Sequence, residues 1–353
     1  MKVLVLGGTG AMGAHLVQLL VKKEVATFVT SRVSHKPDNN LQYIQGDAHD
    51  ISFLKSILES NEWDSIVDFM IYNTQAFKER VDLLLNSTKQ YIFLSSARVY
   101  ANSEQPLTEI SPRLLDVSED TDYLTTDEYA LTKARQEDIL KNSINKNYTI
   151  IRPYITYSED RLQLGIWEKE DWLYRVLHGR TIVFSKNIGS KITTLTYGLD
   201  VAKGIAAIIG NFNALGDTFH IIAKESQTWN ETLTAYLDIL EKYLGHRPKV
   251  LLQELNNFME LRSNISKYQV LYDRLFDRMF DNSKIAQYVD INSFTNIEEG
   301  LEKCLEEFLK NTRFKQINWR IQAIMDKICN EKTCLSEIKG IKQKLKYLLF
   351  RYF

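Results

Sequence analysis

The sequence predicts an α/β protein built on a doubly wound parallel sheet. Short β-rich runs alternate with helical stretches over residues 1–150, and the run YIFLSS at 91–96 is nearly all apolar. Such a strand is typical of a parallel sheet that is covered by helices on both faces. At 353 residues the chain is long enough for one large domain or two smaller ones, and its 25% charged residues are ordinary for a globular protein.

The alternation predicts six strands and four helices before residue 154. The predicted strands are Lys2–Leu6, Thr27–Thr30, Gln42–Gln45, Ser65–Phe69, Tyr91–Ser95 and Tyr148–Arg152. The predicted helices are Met12–Lys22, Ile51–Ser60, Gln75–Ser87 and Thr126–Asn142. The pattern weakens after Pro153, where we predict helices in WLYRVLHG (172–179), Gly198–Ile209, Trp229–Leu244 and Ile297–Lys310, and one strand, Thr218–Ala223, that rejoins the sheet.

A glycine-rich loop, GGTGAMG at 7–13, follows the first strand directly. Gly7 allows a tight turn, Gly10 lets a pyrophosphate approach the backbone, and Gly13 lets helix and strand pack closely. The helix that follows offers free N–H groups to phosphates. This spacing predicts a Rossmann domain that binds a dinucleotide, and the alternative is a glycine-rich turn without a ligand. The predicted cofactor contacts in the loop are Gly7, Gly10, Ala11, Met12 and Gly13.

The second predicted strand is followed by Ser31 and Arg32 rather than by an acid. An NAD enzyme usually places a carboxylate there for the ribose hydroxyls, whereas a guanidinium suits a 2′-phosphate. We therefore favour NADP(H) over NAD(H); the alternative is that Arg32 is a solvated loop residue. Asp47, after the third strand, is placed to meet the adenine amino group or else to start the helix at Ile51.

Tyr129 and Lys133 are four residues apart and therefore lie on one face of a predicted helix. A phenol with an ordinary pKa of about 10 is a poor base unless positive charge stabilises its anion. The lysine supplies that charge, so the pair can exchange a proton with a sugar hydroxyl or carbonyl. Ser96, at the end of the fifth strand, lies where open α/β sheets bind ligands, although a strand-end cap is its alternative role.

Seven motifs, in this order, resemble the extended short-chain dehydrogenase/reductases, in particular the NAD(P)-dependent sugar-nucleotide epimerase/dehydratase group. They are GGTGAMG at 7–13, GDAHD at 46–50, LSSARVYA at 94–101, YALTK at 129–133, IRPYITY at 151–157, TYGLDVAKGIAAII at 196–209 and GDTFHI at 216–221. The resemblance covers roughly residues 1–309 and is more specific for the family than for the reaction.

The resemblance implies site residues in three roles. The catalytic trio is Ser96, Tyr129 and Lys133, with Lys133 also binding the nicotinamide ribose. Further cofactor contacts are predicted at Ala48, Phe69, Met70, Tyr129 and Pro153. Substrate contacts are predicted at Arg98, Tyr154, Arg180, Arg274 and Arg278, of which Arg278 is the first candidate for a clamp on the substrate diphosphate. Each of these last three arginines could instead be a surface helix residue.

Three departures from the family pattern affect the expected substrate. Ala97 and Arg98 stand where the sugar-nucleotide 4,6-dehydratases carry an Asp-Glu pair, which argues against dehydration. DFMIYNTQAF at 68–77 replaces the usual histidine-alanine motif. The stretch between Ser96 and Tyr129 is long and acidic. The sequence therefore does not identify the sugar of the substrate.

The expected function is that of a 4-epimerase or a 4-ketosugar reductase acting on a nucleotide-activated sugar, in cell-surface polysaccharide or glycoside biosynthesis. A non-catalytic NAD(P)-sensing or RNA-binding protein on the same fold is the alternative, and reduction of another carbonyl is a third hypothesis. A cytoplasmic homodimer through the helices at Gln75–Ser87 and Thr126–Asn142 is expected, with no nucleic-acid partner. The predicted domains are 1–158 with 192–222, a substrate lobe of 159–191 and 223–309, and a tail of 310–353.

The tail is strongly basic. From Lys310 to Phe353 there are eleven Lys and Arg residues and three acids, a balance of +8, so the rest of a chain of net charge −1 carries −9. Apolar residues alternate with lysines after Ile341, so the segment could lie weakly on an anionic membrane surface, pack on the acidic body, or contact a second subunit. The favoured prediction is packing on the body. The three cysteines match no common zinc spacing and are expected to be reduced thiols.

Overall fold

The computed structural model describes residues 1–261 and 265–352 and divides into two compact units. The first unit contains 1–158, 194–226 and 278–297, and the second contains 159–193, 227–277 and 298–353. The middle segment of the first unit is 194–226 rather than the predicted 192–222, and two larger differences from the predicted domains follow. Residues 278–297 belong to the first unit, because Leu107 donates its N–H to the Met279 carbonyl and accepts from the Asp281 N–H at its own carbonyl. Residues 310–353 form part of the second unit rather than a separate tail.

The described residues form thirteen strands and sixteen α-helices. The strands are β1 (Lys2–Leu6), β2 (Ala26–Ser31), β3 (Leu41–Gln45), β4 (Trp63–Asp68), β5 (Thr88–Leu94), β6 (Tyr148–Pro153), β7 (Thr156–Tyr157), β8 (Ile182–Ser185), β9 (Ile192–Thr193), β10 (Thr196–Tyr197), β11 (Asp217–Ile221), β12 (Gln227–Thr228) and β13 (Val250–Gln253). The helices are α1 (Gly13–Lys22), α2 (Ile51–Ser60), α3 (Thr74–Lys78), α4 (Val81–Asn86), α5 (Leu114–Val117), α6 (Thr121–Leu124), α7 (Tyr129–Asn142), α8 (Leu173–Leu177), α9 (Lys186–Gly189), α10 (Gly198–Ile208), α11 (Trp229–Leu244), α12 (Leu255–Met259), α13 (Lys267–Gln269), α14 (Ile297–Lys310), α15 (Trp319–Cys329) and α16 (Ile341–Tyr352).

The first unit is built on a seven-stranded sheet of order β11-β6-β5-β4-β1-β2-β3, in which each pair of neighbours is parallel. The chain leaves β1 in one direction to form β2 and β3 and returns on the other side of β1 to form β4, β5 and β6. This is the doubly wound topology, in which ligands bind at the carboxyl ends of the strands where the order reverses. The predicted fold class is confirmed.

Both faces of this sheet are buried, which explains the nearly continuous apolar strands. On β1, Val3 and Val5 pack in one cluster with residues of α1 and α10, whereas Leu4 and Leu6 pack in another with residues of α2 and α4. Because successive side chains of a strand point to opposite faces, one five-residue strand contributes to both halves of the core. The sheet is therefore a rigid platform for the residues at its carboxyl edge.

The second unit is mainly helical and has an aromatic core. Trp167 lies against Phe258 and Trp172 against Tyr236, with ring centroids 5.3 and 4.7 Å apart. Its β8 and β13 pair in parallel, although neither strand has a clear pattern in the sequence. No disulfide joins the three cysteines, all of which are described. Within residues 1–261 and 265–352, no helix combines the length and the apolar character needed to cross a bilayer.

Candidate active site

The loop at 7–13 connects β1 to α1 with the geometry that its glycines predict. Gly7 has a φ of +71°, which favours glycine, and a Cβ on Gly13 would lie 2.7 Å from the Gly8 Cα. By contrast, a Cβ on Gly10 would have no described atom within 4 Å. Gly13 is thus required by helix packing, whereas Gly10 is exposed and faces open space. An exposed backbone segment directly before a helix N-terminus fits the pyrophosphate of a dinucleotide.

This difference between two glycines gives a testable prediction. Gly10→Ala should leave the fold intact and weaken dinucleotide binding at least about ten-fold, because the new methyl group occupies the space that a pyrophosphate needs. Gly13→Ala should lower the melting temperature instead, because its methyl group meets the Gly8 backbone. Thermal unfolding with and without NADP(H) or NAD(H) measures both effects. A Gly10→Ala protein with unchanged cofactor affinity would show that the loop does not hold the pyrophosphate.

The residues predicted to hold the adenosine end lie at the carboxyl ends of β2 and β3. Ser31 ends β2 and its Oγ accepts from the Val33 N–H, and the next residue, Arg32, is exposed. Asp47 is exposed and accepts from the His49 N–H at 2.9 Å. The residue that caps α2 is Asp50, which accepts from the Ser52 and Phe53 N–H groups. Asp47 is therefore not the helix cap, which leaves its predicted role toward adenine open.

The other predicted cofactor residues end strands of the same sheet edge or follow them. Phe69 and Met70 directly follow β4, and both are half-buried. The Met70 Sδ lies 2.8 Å from the position of a Cβ on Gly7, so this side chain packs against the glycine loop. Ala48 and Pro153 are buried. The roles of these four residues toward a cofactor stay predictions.

Tyr129 and Lys133 lie on the first two turns of α7. The Lys133 Nζ lies 6.0 Å from the centre of the Tyr129 ring and 4.5 Å from the centre of the Phe93 ring, and it donates to the Leu94 carbonyl at 2.6 Å. The ammonium group is therefore fixed at the carboxyl end of β5. The predicted pair therefore lies on one face of α7, and the Tyr129 phenol is half-buried at the start of this helix.

The charge of Lys133 is buried. The residue is 2% exposed, and burial lowers its pKa to about 8, while the charges of Asp68 and Glu137 act in the opposite direction. A lysine with this pKa is mostly protonated at neutral pH. It therefore carries a positive charge 6.0 Å from the centre of the Tyr129 ring, with little water to screen it.

Arg98 lies beside Tyr129, and Ser96 begins the short turn that carries Arg98. The Ser96 Oγ accepts from the Arg98 N–H at 3.2 Å, which starts a short turn of helix directly after β5. The Arg98 guanidinium lies 5.3 Å from the centre of the Tyr129 ring and donates to Glu128 Oε1. The strand-end cap that the sequence left open for Ser96 is thus present. A serine that caps a turn through its oxygen lone pairs still has its O–H to donate.

A buried ion pair fastens α7 to the sheet one turn beyond Lys133. Glu137 and Arg152 are 0% and 1% exposed, and Arg152 donates through Nε and Nη2 to the two carboxylate oxygens at 2.7 and 2.5 Å. The Ser95 hydroxyl donates to the same carboxylate at 2.6 Å. Burial opposes ionisation of Glu137, but the Arg152 charge and these hydrogen bonds keep its pKa below the usual value. The pair fixes the height of α7 above β5 and β6, and with it the position of Tyr129.

The three arginines predicted to clamp a diphosphate are all buried and engaged by protein groups. In the first unit, Arg278 is fully buried and donates to the Tyr100 and Ala101 carbonyls at 2.9 Å, and burial lowers its pKa to about 10. In the second unit, Arg180 binds Glu337 at 2.8 Å. Arg274 donates to the Gly165 carbonyl at 2.9 Å and pairs with Asp273. None of the three is the surface helix residue of the alternative interpretation, and a role toward phosphate stays a prediction.

The remaining predicted substrate residue, Tyr154, follows β6 and is 2% exposed, with its ring 5.3 Å from that of Phe280.

Sequence reasoning missed Asp68, the last residue of β4. Its carboxylate accepts from the Tyr91 hydroxyl at 2.8 Å and from the Met70 N–H at 2.9 Å, and burial raises its pKa. The sequence feature that could have indicated it is an acid at the end of an apolar strand. In the sheet, Asp68 pairs with Phe93, and the Lys133 ammonium lies over the Phe93 ring.

Comparison with known proteins assigns the family. The model of the NAD dependent epimerase/dehydratase family matches residues 3–221, which is more than half of the chain. The chain belongs to this family. The resemblance to extended short-chain dehydrogenase/reductases is thereby confirmed, and the family is one of NAD-dependent enzymes. The sheet order, the glycine loop and the tyrosine–lysine pair described above all lie within the matched segment.

Two curated relatives and one solved structure show how far the likeness extends. The chloroplast stem-loop binding protein of 41 kDa b of Arabidopsis thaliana is 26% identical over 246 residues, 65% of this chain and 60% of that protein. UDP-glucose 4-epimerase of Lactobacillus helveticus is 30% identical over 152 residues, 40% of this chain and 46% of that protein. The chain thus spans less than two thirds of either relative. UDP-glucuronic acid 4-epimerase from Bacillus cereus, solved with UDP-glucuronic acid and NAD, has a TM-score of 0.63 at 17% identity, covering 88% of this chain and 99% of that one.

Proposed function

We propose that this protein transfers hydride at a carbon of a nucleotide-activated sugar, with Tyr129 as the acid/base, and acts as a 4-epimerase or a 4-ketosugar reductase. The observation that carries the proposal is the position of the Lys133 ammonium, buried 6.0 Å from the Tyr129 ring at the carboxyl end of β5. Membership of a family of sugar-nucleotide enzymes supports it. A pathway in cell-surface polysaccharide or glycoside synthesis fits such a substrate.

Each residue of the site has a separate task. Lys133 lowers the free energy of the Tyr129 phenolate, so that the phenol can give a proton to a sugar carbonyl or take one from a hydroxyl. Arg98 places a second positive charge 5.3 Å from the same ring. Ser96 donates a hydrogen bond to the reacting oxygen. Because Ala97 and Arg98 carry no carboxylate, these two positions offer no acid to assist elimination of water, which agrees with epimerisation or ketone reduction rather than dehydration.

The residues at the carboxyl edge of the sheet fit a dinucleotide. The glycine loop would hold the pyrophosphate, Ser31 and Arg32 the adenosine ribose, and Lys133 the nicotinamide ribose. When bound, the nicotinamide supplies the hydride acceptor or donor. The exposed Arg32 favours NADP(H), because its guanidinium suits a 2′-phosphate, although the Bacillus cereus structure contains NAD. The homodimer through α3, α4 and α7 and the cytoplasmic location stay predictions.

The proposal is tested with the full-length protein and a panel of ligands. We expect NADP(H), more than NAD(H), to raise the melting temperature, and at least one UDP-, dTDP-, GDP- or CDP-sugar to raise it further, because ligands held only by the folded state stabilise it. The UDP-sugars named for two of the similar proteins are the first to try. Turnover then separates the reactions, since a reductase consumes one NAD(P)H for each sugar and an epimerase consumes none. A lack of any shift with every nucleotide would contradict the proposal.

A second candidate function is RNA binding, which the likeness to the Arabidopsis thaliana stem-loop binding protein favours. Electrophoretic mobility shifts with a stem-loop RNA would detect it. The net charge of −1 does not provide the broad positive surface on which RNA affinity usually depends. Micromolar RNA binding without any response to sugar nucleotides would replace the enzymatic proposal with this one.

A further inference from the structure

Helix α16 carries an apolar stripe that faces away from the protein. Ile341, Leu345, Leu349 and Tyr352 are 73%, 60%, 55% and 51% exposed. Their spacing of four, four and three residues places them on one helix face over three turns. Tyr347, on the opposite face, is fully buried. The stripe is therefore not the side by which the helix is attached.

The attached side of α16 holds it firmly on the second unit. The Tyr347 hydroxyl donates to Asp326 Oδ2 at 2.7 Å. Its ring belongs to a buried cluster whose other members come from α8, α15 and the segment before α16: Tyr174, Trp319, Ala323 and Ile338. A helix anchored in this way presents its outer face without having to fold on binding, which lowers the entropic cost of docking.

The acids of the segment 310–352 are all engaged in ion pairs within the second unit. All three acids of the segment bind arginines of the second unit: Asp326 and Glu331 bind Arg175, and Glu337 binds Arg180, at 2.7, 2.8 and 2.8 Å. The eleven basic residues of the same segment are therefore not neutralised by its own acids, and the net charge of the segment is +8.

Some of these basic residues border the apolar stripe. Helix α16 contains no acid, and Lys342 and Lys346 are exposed directly beside the stripe. Lys339, just before the helix, is also exposed. An exposed apolar stripe bordered by lysines is the composition of helices that lie in the plane of a membrane interface.

We propose that α16 docks this protein on an anionic lipid bilayer, with the stripe among the acyl chains and the lysines at the headgroups. A stable protein–protein interface buries about 800 Å² from each partner and involves about 20–30 residues a side, far more than one twelve-residue helix presents. Membrane binding has no such threshold, because its strength grows with apolar area and with attraction to anionic lipid. The inference does not depend on the catalytic proposal.

Vesicle flotation with the full-length protein tests the proposal. We expect binding to phosphatidylcholine vesicles that contain phosphatidylglycerol, little binding to phosphatidylcholine alone, and release by salt. The double variant Leu345→Ser/Leu349→Ser should lower the partition coefficient at least about ten-fold. Lys342→Glu/Lys346→Glu should also lower it about ten-fold or more, because each lysine near an anionic surface contributes.

Matched variants control for nonspecific effects. Ile110→Ser/Ile144→Ser removes two side chains that are 93% and 98% exposed in the first unit, and Lys23→Glu/Lys78→Glu reverses two exposed charges there; neither should change flotation. Equal binding to both kinds of vesicle, or equal loss in stripe and control variants, would overturn the proposal. So would a dimer that forms without vesicles and is dissociated by Leu345→Ser/Leu349→Ser, since a second copy would then cover the stripe.

Discussion

Tyr129→Phe should reduce turnover by about 10²–10⁴-fold and leave cofactor binding unchanged, because it removes only the hydroxyl that exchanges the proton. The ring stays, so the contacts with Lys133 and Arg98, at 6.0 and 5.3 Å from its centre, are kept. The measurement is kcat and KM with the sugar nucleotide that the ligand panel identifies, together with the Kd of the dinucleotide. Because general acid–base catalysis acts in the transition state, we expect kcat rather than KM to change.

Tyr243→Phe is the matched control for this prediction. Tyr243 is 58% exposed on α11 of the second unit, so removal of its hydroxyl should leave kcat unchanged. Lys133→Met should reduce kcat as well and, unlike Tyr129→Phe, also weaken cofactor binding if the ammonium holds the nicotinamide ribose. A Tyr129→Phe enzyme with full activity would refute the assignment of Tyr129. A Tyr129→Phe enzyme that no longer binds dinucleotide would instead indicate a role in the cofactor site.

The sequence predicted the first unit well because its elements are encoded locally. The predicted bounds of β1 and α2 match the structure, and the other early strands differ by one to three residues at their ends. The glycine loop and the tyrosine–lysine pair each depend on spacing within one loop or one helix, which sequence alone specifies. The single helix predicted at Gln75–Ser87 is two, α3 and α4. Arg80 lies between these two helices. It donates through Nη2 to the His49 carbonyl, and its guanidinium lies over the Tyr72 ring.

The binding partners of the charged side chains were not predictable in the same way. Arg278 binds carbonyls that precede it by 177 and 178 residues, and Arg175 binds an acid 151 residues later. No local pattern reports such partners, because they are set by tertiary packing. Arg152 did leave a signal, as a charge within the apolar strand YTIIRP, and a buried charge requires a partner. The favoured prediction for the basic tail, that its apolar side packs on the body, is wrong for most of that side. Ile341, Leu345 and Leu349 are exposed, and α16 is attached through Tyr347 and Leu348 instead.

Glu137→Gln should destabilise the protein by about 3–5 kcal/mol at neutral pH, because it leaves Arg152 buried without its counter-charge. Both side chains are essentially inaccessible, and the carboxylate accepts two hydrogen bonds from one guanidinium. Urea unfolding followed by circular dichroism measures the loss. The surface variant Asp64→Asn is the control, because Asp64 binds the exposed Lys89, and it should shift the midpoint far less.

The pH dependence separates this electrostatic effect from a packing defect. The pKa of Glu137 is lowered in the folded state, so its stabilising contribution is complete above the unfolded pKa of about 4.3 and is lost as pH falls through the folded value. The difference between wild type and Glu137→Gln should therefore shrink on acidification. A difference that is constant from neutral to acid pH would point to lost packing instead. The double variant Glu137→Leu/Arg152→Met should recover part of the stability, because it removes both charges of the pair, while Arg113 keeps its ion pairs with Asp116 and Asp138. Since α7 carries Tyr129 and Lys133 on the turns just before Glu137, a Glu137→Gln protein should also lose activity at temperatures where it is still folded.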